Sequence, residues 1–168
     1  MQHHNHFFAA LIITLFSAAI PALESDREQP IQIEADAATY NEKSGTGTYI
    51  GNVKLTQGSF RLWSDKLVVY NKNREVDKLI ITGQPAKFRQ TPEEQKEDIQ
   101  GSALRMEYYG KGSRLIMLNR AKIWQGENST ASERIEYDSL NSIIQAGEKQ
   151  SNSQRVKVIL QPQNNKPK

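Results

Sequence analysis

With 168 residues the chain has the length of one domain, and its formal net charge of +3 and pI of about 9.1 come from 22 Lys and Arg mixed with 19 Asp and Glu. It has no cysteine, and its three histidines, His3, His4 and His6, all lie at the extreme amino terminus. If that end is removed, ordinary zinc sites, Ser–His and Cys–His nucleophiles, thiol redox chemistry and disulfides are excluded.

Residues Phe7 to Ile20 form an apolar run of 14, followed by Pro21 and small residues. A bilayer needs about 20 helical residues, so the run reads as a secretory signal peptide cleaved between Ala19 and Ser25. A retained anchor is the competing reading, because no Lys or Arg precedes the run. The expected organisation is a signal over 1–25, one domain over 26–160 and a polar tail over 161–168, with no transmembrane or nucleic-acid-binding segment. The scattered basic residues leave room for attraction to an anionic membrane or glycolipid.

From Gln29 the chain alternates. Ile31 and Ile33 share one face, with Gln32 and Glu34 on the other. Asn41 to Gly47 has turn composition, and Thr48 to Thr56 resumes alternation through Tyr49, Gly51, Val53 and Leu55. Gly51 suggests a bulge or a close backbone approach. After the Gln57-Gly58 turn, Phe60 and Leu62 face one way while Arg61 and Trp63 face the other. Leu67 to Tyr70 reads as a strand buried on both faces. Asp77 to Thr82 is a return strand, and Gly83-Gln84-Pro85 reads as a turn into Ala86 to Arg89. Thr91 to Asp98 is charged and aperiodic, hence a long hairpin loop. Ile99 to Tyr109, Leu115 to Leu118 and Arg155 to Leu160 continue the strand rhythm, and no segment after residue 26 suits a long amphipathic helix.

The stretch from Tyr49 to Tyr70 has a copy 68 positions later. Lys54-Leu55 falls on Lys122-Ile123, Gln57-Gly58 on Gln125-Gly126, and Ser64-Asp65-Lys66-Leu67 on Ser132-Glu133-Arg134-Ile135. A finer strand-turn-strand unit of roughly 30 residues underlies it. Short strands at this spacing indicate an all-β sandwich, barrel or stacked roll. Paired carboxylates remain conceivable as catalysts. However, Asp36, Asp65, Glu107, Glu133 and Glu136 sit at strand starts or on polar faces, and Asp65 and Glu133 are copies of one position. No enzymatic activity, cofactor or metal is expected. Tyr49, Tyr70, Phe88, Tyr108 and Tyr109 read as core or cross-strand aromatics. Curved sheets with apolar inner faces can either fill the space with side chains or leave a slot for an apolar guest, and the residue pattern is compatible with both.

The motifs QPIxIEAD (Gln29 to Asp36), GNVxLTQG (Gly51 to Gly58), SDKLVVY, GxPAxF (Gly83 to Phe88) and MxY (Met106 to Tyr108) occur in order. Together they resemble the LptA family of periplasmic lipopolysaccharide-transport proteins, with its OstA-like domain, from Gln29 to about Leu160. The resemblance implies an all-β fold: an open, V-shaped antiparallel β-jellyroll with an apolar slot for the acyl chains of lipid A. It also implies a periplasmic location, end-to-end self-association, and edge-strand pairing with LptC and LptD. Carried over as slot-lining are Ile31, Ile33, Phe88 and Tyr108. Alternation alone extends the set to Tyr49, Val53, Leu55, Phe60, Leu62 and Leu67. The charged TPEEQKED loop, Trp63 and Trp124 depart from the family pattern. The alternative function is a filled periplasmic scaffold that joins partners edge to edge without lipid cargo.

Overall fold

A computed structural model describes residues 26, 28–73, 75–91, 97–138, 141, 143–147 and 155–162. The expected signal peptide, most of the TPEEQKED loop and most of the polar tail lie outside these residues. The strands are β1 (Gln32–Glu34), β2 (Ala37–Asn41), β3 (Thr46–Gln57), β4 (Phe60–Lys72), β5 (Glu75–Gln90), β6 (Ile99–Tyr109), β7 (Arg114–Gln125), β8 (Asn128–Asp138), β9 (Ile143–Ala146) and β10 (Lys157–Ile159). They form one antiparallel sheet in the order β1-β3-β4-β5-β6-β7-β8-β10, with β2 also on β3 and β9 also on β8.

A line of bulges shapes this sheet. The register shifts between Ile50 and Val53, Trp63 and Lys66, Thr82 and Ala86, Ser102 and Arg105, and Leu118 and Ala121, so all five central pairings break at mid-strand. A bulge adds a residue to one strand and bends it, and aligned bulges bend the whole sheet into two walls. The first wall holds β1, the Val53–Gln57 part of β3, its neighbours through Asn128–Ser132, and β10. The second holds β2, the Thr46–Ile50 part of β3, its neighbours through Arg134–Asp138, and β9. Each outer strand of the bent sheet thus carries two short strands, one per wall. The sheet stays open.

The walls meet through unequal side chains. Along the bend the first wall presents Val53, Ser64, Ala86, Ala103, Ala121 and Ser132, all buried and small. The second presents Leu67, Ile81, Met106, Met117 and Ile135, none more than 1% exposed. Large chains from one side fill the room left by small ones on the other, and both sets meet in one core.

The 68-residue copy is built into the backbone. Gly58 and Gly126, at φ 54° and 55°, make equivalent hairpin turns. Gly51-Asn52 and Asn119-Arg120 supply left-handed backbone at equivalent bulges. Gln57 Nε2 donates to the carbonyl of Gln29 at 3.1 Å, and Gln125 Nε2 to that of Glu97 at 2.9 Å, again 68 residues apart (97 minus 29).

Two local expectations change. Gly83-Gln84-Pro85 is no turn but the bulge inside the 16-residue β5, with a cis Gln84–Pro85 peptide. Its turn-forming residues bend a strand rather than reversing it. Leu67 to Tyr70 is buried on one face only: Leu67 and Val69 point inward while Tyr70 is 38% exposed. The sheet is covered by its own other wall, leaving the outer face to solvent.

Candidate apolar binding cleft

Beyond the packed bend the walls diverge around a cleft of about 820 Å³. From the first wall Leu55, Phe60, Leu62 and Phe88 line it, and from the second Leu79, Ile81, Tyr108, Leu115 and Tyr137. The strand period of two sends these chains inward while their sequence neighbours face water. Phe60 and Phe88 stack with ring centroids 5.9 Å apart and planes 21° off parallel. The Phe88 ring lies over Gly101, its cross-strand partner, where a Cβ would overlap the ring. Gly101 is thus required for space in the cleft floor.

Of the ten residues expected to line a slot, Ile31, Leu55, Phe60, Leu62, Phe88 and Tyr108 border the cleft. Val53 and Leu67 are fully buried at the bend, and Ile33 and Tyr49 pack on the core. The four belong to the same inner faces but lie outside the opening. Leu79, Ile81, Leu115 and Tyr137 border the cleft without being among the ten. Their alternation is readable in the sequence, but which end of each strand faces the opening follows from the bend.

The apolar strand residues that line the cleft are uncharged. Burial, with a smaller effect from Asp138, pushes the Tyr137 phenol above its ordinary value, so it stays neutral across ordinary pH. Charge gathers at the two ends. Lys72, Glu75, Asp77 and Lys111 stand at one. At the other Asp26 lies beside Gln57 and Gln90, its carboxylate accepting from Ser59 N at 2.7 Å and Ser59 Oγ at 2.5 Å.

The carboxylates picked out by the sequence do not converge. Asp36 caps the β3 bulge, accepting from Asn52 Nδ2 at 2.8 Å while its amide donates to Gly51 O at 3.0 Å. Glu133 accepts from Arg120 N at 3.4 Å at the equivalent bulge. Glu107 and Glu136 lie on the outer face of the second wall. Glu107 is bound by Lys78 at 2.9 Å, Tyr109 Oη at 2.7 Å and Arg105 at 2.8 Å. These donors, Lys78 foremost, hold its carboxyl down at about 2. Among the described residues no group of three or more His, Cys, Asp or Glu is placed to hold a metal ion. What the arrangement offers is an apolar surface open to solvent, with charged residues at its ends.

A family model described as LptA/(LptD N-terminal domain) LPS transport protein matches residues 32–143. The lipopolysaccharide export system protein LptH of Pseudomonas aeruginosa is 33% identical over 159 residues, 90% of each chain. LptA of Escherichia coli is 31% identical over 156 residues, covering 90% of this chain and 83% of that one. The crystal structure of the P. aeruginosa protein, described as the LptA-homologous periplasmic component of the conserved lipopolysaccharide transport device, superimposes with a TM-score of 0.75. That match covers 82% of this chain and 99% of the other. The open antiparallel sheet is thus a shared architecture, and this chain belongs to the LptA/LptD N-terminal domain family of lipopolysaccharide transport proteins.

Proposed function

We propose that this protein shields the acyl chains of lipopolysaccharide in the periplasm and passes them along the bent sheet, without catalysis, on the way to the outer membrane. The observation that carries this reading is the unfilled cleft between two apolar walls. An acyl chain left in water loses about 0.8 kcal/mol per exposed methylene, so a multi-chain lipid needs continuous shelter. A scaffold packed solely with its own side chains would have no such space.

Continuity comes from the strand ends. The inner row Ile33, Leu55, Leu62, Phe88, Gly101, Ile123, Thr130 and Val158 runs unbroken across the first wall. It emerges at Val158, 54% exposed, while the second wall emerges at Tyr40, 60% exposed, and Ile144, 47% exposed. These short edge strands carry unpaired backbone groups suited to adding another strand. They are the proposed joints for a second copy of the chain and for LptC and LptD.

A photo-crosslinker placed at Phe60 or Leu115 is expected to form a lipopolysaccharide adduct in cells, and one at the outward-facing Lys66 none. Equal labelling from Lys66, or no adduct from either cleft position, overturns the reading. Absence of adduct combined with loss of growth on edge-strand substitution favours the cargo-free scaffold.

A further inference from the structure

The two walls differ most on their outer faces. On the second wall four cations are paired locally: Lys78 and Arg105 bind Glu107, while Arg114 and Arg134 bind Glu136 at 3.4 and 2.7 Å; among the described residues Lys66 has no ion pair there. Across the first wall the pairing register sets Lys54, Trp63, Lys87, Ser102, Lys122, Ala131 and Lys157 side by side on successive strands. Lysine therefore recurs on every second strand, about 9–10 Å apart. Only Lys54 has a carboxylate within reach, Glu34 at a loose 3.8 Å; among the described residues Lys87, Lys122 and Lys157 have none. Lys87, Lys122 and Lys157 are exposed.

Both tryptophans of the chain belong to this face. Trp63, 41% exposed, stands in the lysine row. Trp124 stands half-buried in the adjoining outward row between Gln100 and Ser129, with the Lys122 ammonium 5.4 Å from its ring centroid. Indoles left part-open on a solvated sheet face gain little for the fold. Unpaired lysines interspersed with indoles form the residue pattern that settles at a lipid–water interface: ammonium groups meet anionic headgroups, and amphipathic rings sit at headgroup depth.

We propose that the outer face of the first wall docks on the surface of a bilayer containing anionic phospholipid, independently of the cleft on its other side. Two features select a lipid surface over a linear polyanion. The indoles and cations occupy two adjacent rows, so the patch is two-dimensional. Three of the four row lysines also lack the counter-charges that zip the opposite wall. Rows of the sheet run from joint to joint of the proposed bridge, so a subunit lying flat on a membrane is one outside an assembled bridge. Docking thus belongs to the unassembled protein.

Vesicles of phosphatidylcholine with or without phosphatidylglycerol, free of lipopolysaccharide, provide the test, with partition of the signal-free protein read by co-sedimentation. The two tryptophans are the probe, because both lie in the proposed docking face. Partition is expected only with phosphatidylglycerol, weakening at high salt, with a blue shift of the tryptophan emission. Lys87→Glu/Lys122→Glu is expected to lower partition at least tenfold, from roughly fivefold for each cation removed from the bilayer surface. Lys66→Glu on the other wall should change it less than twofold. Equal partition onto uncharged vesicles, an unshifted emission, or an equal drop with Lys66→Glu overturns the proposal. So does a soluble anionic polysaccharide that binds the face when vesicles do not. Lipopolysaccharide adducts at Phe60 and Leu115 report on the cleft alone, so either proposal can fail while the other stands.

Discussion

The first and second walls are opposite ends of the same bulged strands, yet they treat their neighbours differently. At the bend the second wall contributes Leu67, Ile81, Met106, Met117 and Ile135, and the first answers with Ala86, Ala103, Ala121, Ser64 and Ser132. On the outside the second wall pairs Lys78, Arg105, Arg114 and Arg134 with two partly buried glutamates, while the first leaves a lysine row open. The second wall pairs most of the charge on its outer face. The two walls share the apolar cleft between them, and the first adds a lysine row with little counter-charge on its outer face; both are terms a ligand can supply. Asymmetry between the two ends of the same strands is therefore where function is to be sought in such a fold.

The sharpest way to break the contrast is at the bend. Ile135→Ala removes a fully buried chain of the large row and is expected to cost about 2–5 kcal/mol, read from urea denaturation. Phe60→Ala, on the partly open cleft, should cost less than Ile135→Ala while abolishing the lipopolysaccharide adduct from a neighbouring probe. Equal destabilisation by the two would erase the distinction between packed bend and open cleft.

Enlarging the small row tests the same fit from the other side. Ala103→Leu forces a large chain against Met106 and its neighbours, and Gly101→Ala drives a methyl into the Phe88 ring. Each is expected to destabilise by about 1–3 kcal/mol in thermal or urea melts. A neutral Ala103→Leu would show that the walls are not closely packed at the bend.

The charge-zipped face predicts a pH signature. Glu107 is held at about 2, below its ordinary value of 4.5, so its ionised form is favoured by folding. That contribution is present above about 4.5 and is lost as the pH falls toward 2. Between those limits the wild type should lose about 1–2 kcal/mol more than Glu107→Gln, after allowance for screening at a partly solvated site. Parallel stability curves for the two proteins would remove the glutamate from the account. The smallest effect belongs to the open row: Lys87→Glu should shift stability by less than about 0.5 kcal/mol, because it breaks no ion pair. A larger drop would mean that the row is part of the fold rather than a free surface.

Much of this is legible in the chain before folding. Alternation at Tyr49–Leu55 and Phe60–Leu62 marks inward faces because strand geometry permits only two sides. The Gln57-Gly58 and Gln125-Gly126 pair marks equivalent turns because each needs left-handed backbone. Lack of Cys, and of His outside the first residues, narrows the chemistry without reference to shape. Gly83-Gln84-Pro85 misleads because the same residues that reverse a chain also bulge it, and only pairing on both sides distinguishes the outcomes. Val53 and Leu67 cannot be told from Leu55 and Leu62 by pattern, since distance from the bend, rather than face, decides which inward residue meets the cleft. Nor does any local signal place Lys54, Lys87, Lys122 and Lys157 in one row, for they lie 33, 35 and 35 residues apart in the sequence (87 minus 54, 122 minus 87, 157 minus 122). Which side each residue faces was thus determined by sequence, through the two-residue period of a strand. Which residues meet across strands, where the walls part and where charge is left unpaired were decided by the tertiary structure, because register and bend join residues that no local pattern relates.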